Sequence, residues 1–358
     1  MGIGEKILAN LIQQNPTRSL VAACNAYINW VNSNIIMESV CLINNDECNN
    51  ESKKSNKAID SHLVSKGVNL KPIAKNGKVR AVGVNHKNPL NSKIKETAIK
   101  KATTFPGFCK YHDNLLFSAL EIKKIEHYTR EHAFLLCLRV VAYKKYCSEK
   151  RYKEANFVLH SFKNKIVRNM IKESSAHNLM IDSILHGKRK SKYREIWNLI
   201  KTTVEFKHNL KSSYKIAYED YIAFSKLSEC LKTILNKKDY AKIEFRQYTI
   251  NNKKIAFSSA YNIPYKKNNM FLFLFVLPND VGSNILIACL KKDYKILIRD
   301  NYIKGCFDGN IDNIQHLINL DSDCIIFNGD DFEDYEYAKY IYESDNQIID
   351  LFPPNILK

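Results

Sequence analysis

The chain has 358 residues, 45% of them hydrophobic, with only 11 Gly and 8 Pro, which excludes a disordered or collagen-like polymer and leaves room for two or three folded units. Its most apolar run, Met270 to Leu277, is strand-sized and stops at Pro278, and the opening MGIGEKILANLIQQNP lacks the long apolar core of a signal peptide, so a cytoplasmic protein with no membrane contact is expected. Lys and Arg number 55 against 37 Asp and Glu; the stretch from Cys306 onward holds 12 acidic and 2 basic residues, so the first 305 residues carry a net +28.

A field of that size favours a polyanion, DNA or RNA first. The competing explanation is a lysine-rich composition whose charges are merely solvated. Ten cysteines are scattered through the chain, unlike the dense framework of a small secreted domain, and imply reduced thiols. Cys137 in AFLLCLRVV and Cys289 in NILIACL read as small buried hydrophobes.

Residues 1–34 read as two helices broken at Asn15-Pro16-Thr17, with Thr17 or Ser19 as the second N-cap. Residues 35–105 are polar, with short apolar pieces (SVCLI, VNLKPIA, VRAVGV) separated by the turn formers Asn45-Asp46, Asn76-Gly77 and Asn88-Pro89. Such a segment buries little core by itself, which is where a metal helps a small fold. Cys41 and Cys48 bracket a polar loop, and FPGFCKYHDNLLFSALE places Cys109 and His112 in a Cys-x2-His spacing just before a helix. Zinc takes four thiolate or imidazole ligands, commonly as two close pairs on separate turns, so Cys41, Cys48, Cys109 and His112 are the candidate metal ligands. Gly107 would supply backbone freedom at the knuckle, and Asp113 a helix cap. The alternative is a set of unliganded cysteines with His112 capping the helix.

From Asp113 to about Lys238 apolar residues recur at helical spacing with almost no Gly or Pro, predicting a central α-helical domain. Two Glu-His dipeptides there place His127 and His132 five residues apart, a poor spacing for a shared metal, and read as a solvated helix face. Within it HGKRKSKYREIW gathers Lys188, Arg189, Lys190, Lys192 and Arg194 beside Tyr193 and Trp197, a candidate nucleic-acid contact or an ordinary exposed turn. From Ala241 the period becomes strand-like. IEFRQYTI, Asn251-Asn252 and KIAFSSAYNI read as a hairpin, and MFLFLFVL, NILIACL, YKILI and CIIF as further strands. DDFEDYEYAKYIYE reads as an acidic closing helix capped by Asp330 or Asp331. The expected fold is therefore α+β, in three parts: a helical and zinc-knuckle unit over 1–112, helices over 113–240, and an α+β domain over 241–358.

The order Cys, Cys, Ser61-His62-x3-Lys66, then Phe108-Cys109-x2-His112-Asp113-x3-Phe117 resembles uncharacterised bacterial proteins with a zinc-knuckle segment, and more distantly the treble-clef HNH nucleases. The resemblance covers about 80 residues. It implies His62 as the base that activates water and Asp113 near the middle position of the helix, with a catalytic divalent cation on the scissile phosphate beside the structural zinc. It also implies a role such as defence against foreign DNA. The chain departs from the HNH pattern in three places. Ser61 replaces an acidic residue (Asp60 is adjacent), Leu116 and Phe117 stand where a final His or Lys is wanted, and the first pair is Cys-x6-Cys. The function expected from the sequence is a zinc-stabilised nucleic-acid-binding protein with a degenerate HNH-like site, in which cleavage through His62 either survives or is lost; the other reading is a non-enzymatic adaptor for a protein partner.

Overall fold

The structure, a computed structural model, describes residues 33–44, 48, 57–83, 93–122, 124–160, 192–250, 255–266, 268–321 and 325–327. The two N-terminal helices expected over 1–34 (all but their last two residues) and the acidic closing helix lie outside these residues. Helices and antiparallel sheets together make a mixed α+β fold. None of the described helices is long and apolar enough to cross a membrane.

The chain groups into two compact units, Met1–Glu38, Val84–Ser92 and Cys147–Ile222 in one, and Ser39–Gly83, Lys93–Tyr146 and Ala223–Lys358 in the other. In the first, the late part of helix α2 (Arg130–His160) meets the middle of helix α3 (Lys192–Lys237). Tyr152 packs on Tyr214, Tyr218 and Tyr221 with ring centroids 5.3–5.6 Å apart, an aromatic seam between two helices that lack a continuous Leu/Ile stripe.

The second unit is built on a seven-stranded antiparallel sheet. Its strands are β2 (Lys78–Gly83), β3 (Lys93–Ala98), β5 (Ile243–Ile250), β6 (Ile255–Tyr265), β7 (Asn268–Pro278), β8 (Ser283–Leu290) and β9 (Ile325–Phe327), in the order β3-β2-β9-β6-β7-β8-β5. Two further strands, β1 (Ile59–His62) and β4 (Thr104–Phe108), pair separately. Because successive strand side chains point to opposite faces, the unbroken apolar run of β7 obliges both faces to be covered. Phe271, Phe273, Phe275 and Leu277 pack with Phe134, Leu138 and Val141 of α2 and with Phe224, Leu227 and Leu231 of α3. The alternate residues Met270, Leu272, Leu274 and Val276 pack with Leu297, Ile303, Phe307, Ile314 and Leu317. These last come from three short helices, α4 (Lys291–Leu297), α5 (Asn301–Phe307) and α6 (Ile311–Asn319), the second and third capped by Asp300 and Asn310.

Two expectations are corrected. Strands β5 and β6 do not form a hairpin: β5 pairs along its whole length with β8, from Ile243 opposite Leu290 to Ile250 opposite Ser283, while β6 pairs with β7 and β9. Alternating polar residues suit β5 to a half-exposed sheet edge, whereas β7 and β8, with their long buried apolar runs, must lie inside. The hairpin that does form joins β6 to β7, with Tyr265 opposite Asn268 and Lys266 at φ 53°. The run YKILI is not a strand but most of α4. Its apolar residues Tyr294 and Leu297 fall three apart, on the side turned to the sheet.

His127 precedes α2 instead of lying in a helix. His132 acts in the N-terminal cap: its Nδ1 accepts from the Thr129 amide (3.3 Å), and its own amide donates to Thr129 Oγ1 (3.2 Å).

Phe273 is fully buried at the centre of the sheet, so Phe273→Ala is expected to lower the unfolding free energy by about 3–5 kcal/mol in urea titration. Val281, 71% exposed at the β7–β8 turn, is the matched surface site, where Val281→Ala is expected to change it by less than about 0.5 kcal/mol.

Candidate metal centre

Strand β1, strand β4 and helix α1 (Lys110–Glu121) form the frame of the site. β1 and β4 run antiparallel, with Ser61 opposite Phe105 and His62 opposite Thr104, and β4 passes directly into α1 with Cys109 as its N-cap. The backbone amide of Leu42 donates to the Gly107 carbonyl (2.9 Å), which holds the Cys41 turn against β4. Gly107 is required for space and not for an unusual φ: a Cβ there would lie 2.3 Å from the ring of Phe105, itself buried and packed edge-on against Tyr143.

This frame brings Cys41, Cys48, Cys109 and His112 together. All four are buried, and their ligand atoms lie within 4.8 Å of one another. His112 Nδ1 is 3.6, 3.3 and 3.2 Å from the sulfurs of Cys41, Cys48 and Cys109, and the Cys48 and Cys109 sulfurs are 3.9 Å apart, free thiols and not a disulfide. Four soft donors gathered this closely can bind a metal ion. Burial opposes ionisation of Cys41, but hydrogen bonds from His112 and from the backbone at Asn44, Cys109 and Ile43 outweigh it and bring the thiol to about 6, so the pocket already favours a thiolate. Burial, with Cys41 beside it, raises the Cys109 thiol.

Next to the cluster lies a second polar group. Half-buried His62 donates Nδ1–H to the Ala102 carbonyl (3.0 Å); since a carbonyl only accepts, this leaves Nε2 as the basic nitrogen of the neutral ring. Burial lowers its pKa, which keeps the ring neutral. Asp113 does not cap α1. It sits in the helix's first turn within electrostatic reach of His62, its carboxyl raised by burial against the opposing pull of Ser61 and Arg139.

Arg139 of α2, fully buried, reaches the same place: its Nη2 donates to Glu121 (2.7 Å) and its guanidinium lies 3.9 Å above the Phe117 ring. Ser61 Oγ, Asp113 Oδ1 and Arg139 Nε are all buried there without a protein hydrogen-bond partner. The sequence carried one unused signal of Arg139, a cation inside the otherwise apolar AFLLCLRVV.

Of the basic tract, Lys188, Arg189 and Lys190 lie outside the described residues, and Lys192 and Arg194 fall on the first turn of α3. No family model matches the chain, and comparisons with curated proteins and with solved structures find no match either.

The purified protein is expected to carry one metal ion per chain by elemental analysis, and the Cys109→Ala, His112→Ala double variant none. Removing the ion with a chelator should cost about 4 kcal/mol when free metal had exceeded its dissociation constant a thousandfold. Acidification should release it too, because protons compete for the thiolates. At the neighbouring pair the two partners are unequal. Glu121→Ala strands a buried guanidinium and is expected to cost about 2–3 kcal/mol, below the usual range for a broken buried pair because Glu121 is about a third exposed. Arg139→Met leaves a carboxylate that can hydrate and should cost about half as much in the same urea titration.

Proposed function

We propose that the chain is a zinc-stabilised nucleic-acid-binding protein. The observation that carries this reading is the buried Cys3His cluster, set in the part of the chain with the large cationic excess. Zinc with sulfur at about 2.3 Å and imidazole nitrogen at about 2.0–2.1 Å spans tetrahedral edges of about 3.8 Å (sulfur to sulfur) and about 3.6 Å (sulfur to nitrogen). The separations of 3.9 Å and 3.2–3.6 Å in the cluster need only small shifts to meet those edges. Three thiolates with one imidazole also suit zinc better than hard, oxygen-seeking Mg²⁺ or Ca²⁺.

Zinc in this position would be structural: all four protein ligands fill its shell, leaving no open position for water or substrate. Its place would be to fasten the Cys41 turn and Cys48 onto the β4–α1 junction, adding coordination to the apolar contacts of Leu42 and Ile43. His62 has a basic nitrogen available, and Asp113 stands near it, so the residue types of an HNH-like hydrolytic site are partly present. The next turn of α1 bears Leu116 and buried Phe117 in place of a second His or Lys, and Asp113 resists ionisation. Binding without cleavage fits this set better than turnover.

The test is fluorescence anisotropy with labelled DNA and RNA oligonucleotides across a salt series, beside elemental analysis for zinc. The zinc protein is expected to bind, with log affinity for duplex DNA falling by about 0.9 per decade of salt for each phosphate neutralised. Absence of binding to either polymer at low salt would overturn the reading and leave an adaptor. Metal-dependent cleavage of a plasmid that disappears in His62→Ala would restore the nuclease.

A further inference from the structure

Resting on that reading, we infer that the phosphodiester backbone binds on a lysine face made by two turns and the end of β1, beside His62, and that this face, not the contiguous basic tract of the sequence, carries the contact. Over 63–83 and 93–103 the chain has nine Lys or Arg and a single acid, Glu96. Backbone hydrogen bonds draw three pieces of this segment together. In the turn Lys75-Asn76-Gly77-Lys78, Lys75 and Lys78 exchange both bonds at 2.9 Å, with Asn76 at φ 51° and Gly77 at φ 70°, the positive values that a tight type I′ turn demands. The Ile99 amide donates to the Gly77 carbonyl (3.0 Å), which lays the 99–103 turn against the first. That second turn is fixed to the end of β1 by Leu63 N–H to the Thr103 carbonyl (2.9 Å) and by His62 to the Ala102 carbonyl.

The consequence is electrostatic. Lys75, Lys78, Lys100 and Lys101 are exposed on adjoining turns, and Lys66, also exposed, follows β1 closely enough for its charge to act on His62. Lys78 pairs with Glu96 at 3.2 Å, but both side chains are more than half exposed, so the pair is weak and a phosphate can displace the carboxylate. Like charges crowded on stitched turns repel one another, and a chain of regularly spaced phosphates relieves that repulsion while releasing its own counterions.

Two features select this partner over an anionic membrane. Among the described residues, none of the large exposed apolar side chains falls between 63 and 103, so the face offers no anchor to insert among lipids. The fully exposed described cations of the face are lysines, compact point charges that suit phosphate, with Arg80 only half-exposed on β2, so recognition is of the backbone and largely independent of sequence.

The experiment compares wild type, Lys75→Gln/Lys78→Gln, Lys100→Gln/Lys101→Gln, and the charge-matched control Lys291→Gln/Lys292→Gln, whose two lysines are exposed on α4. Probes are a single-stranded DNA oligonucleotide, the RNA of the same sequence, and the DNA duplex, with phosphatidylserine vesicles as the alternative polyanion. Thermal melting and metal content check that each variant is folded. Each of the two test variants should weaken binding about tenfold at moderate salt and reduce the salt slope by about 2, roughly one for each lysine that no longer neutralises a phosphate, while the control keeps the wild-type values. The ranking of the three probes tells whether DNA or RNA is the source of the phosphates. Test variants that match the control would overturn the assignment of this face while the nucleic-acid reading survives. Vesicle binding lost in the test variants, with nucleic-acid binding intact, would reassign the face to lipid. A wild type that binds none of the three nucleic acids would overturn the reading itself.

Discussion

The second unit is organised by the fact that β7 has no polar side. Eight successive apolar residues cannot be left with one face in water, since each large side chain withdrawn from solvent contributes roughly 1.5–3 kcal/mol and leaving four exposed would forfeit most of that. Helical cover is therefore needed above and below. The long helices α2 and α3 supply one layer and the short α4–α6 the other, and the chain reaches the second only by turning sharply after β8. The edge positions fall to strands that tolerate water: β5 with its alternating polar residues, and β3 at the opposite end.

The candidate metal centre belongs to the α2 side of this sheet. Its cysteines are part of the same buried cluster as Phe273 and Phe134, so a metal there would extend the core by coordination where apolar side chains run out. Arg139 connects the two. It rises from the helix that covers β7 and ends between Phe117, Glu121 and Asp113 of the helix that carries His112. Burial disfavours its charge, and Glu121 and Asp113 oppose that, so the polar group beside the cluster is balanced by charges from two helices.

The parts legible in the sequence were those governed by local rules. The switch from helical to alternating periodicity near residue 241 marks where α3 gives way to β5, the Asn76-Gly77 turn forms as its residue types require, and the four residues of the candidate metal cluster could be picked out by type and position. Strand partnership was not legible, because it depends on which strands can bear exposure. Asn251-Asn252 is the better turn signal by composition, yet the chain makes its hairpin between Tyr265 and Asn268, where pairing two strands rich in buried residues outweighs the cost of Lys266 at positive φ. YKILI was ambiguous for the same reason. A short run of four apolar residues around one lysine fits strand or helix, and only the sheet face it covers decides.

The lysine face adds a further instance of meaning that composition hides. A count of charge spreads the excess evenly along the first 305 residues and draws attention to HGKRKSKYREIW, where basic residues are contiguous. Folding does something a linear tally does not record: it lays 75–78 against 99–103 and ties both to β1, so lysines some 25 residues apart in sequence stand on neighbouring turns. Potential depends on separation in space and is screened within about 8–10 Å, so adjoining turns reinforce one another where the same charges along an extended chain would not. The hydrogen bond that fixes the tautomer of His62 is made by Ala102, the residue after Lys101. The lysines proposed to hold a polyanion and the ring of His62 are thereby positioned by one turn, so a ligand that moved the 99–103 segment would also move the hydrogen bond that fixes the His62 tautomer.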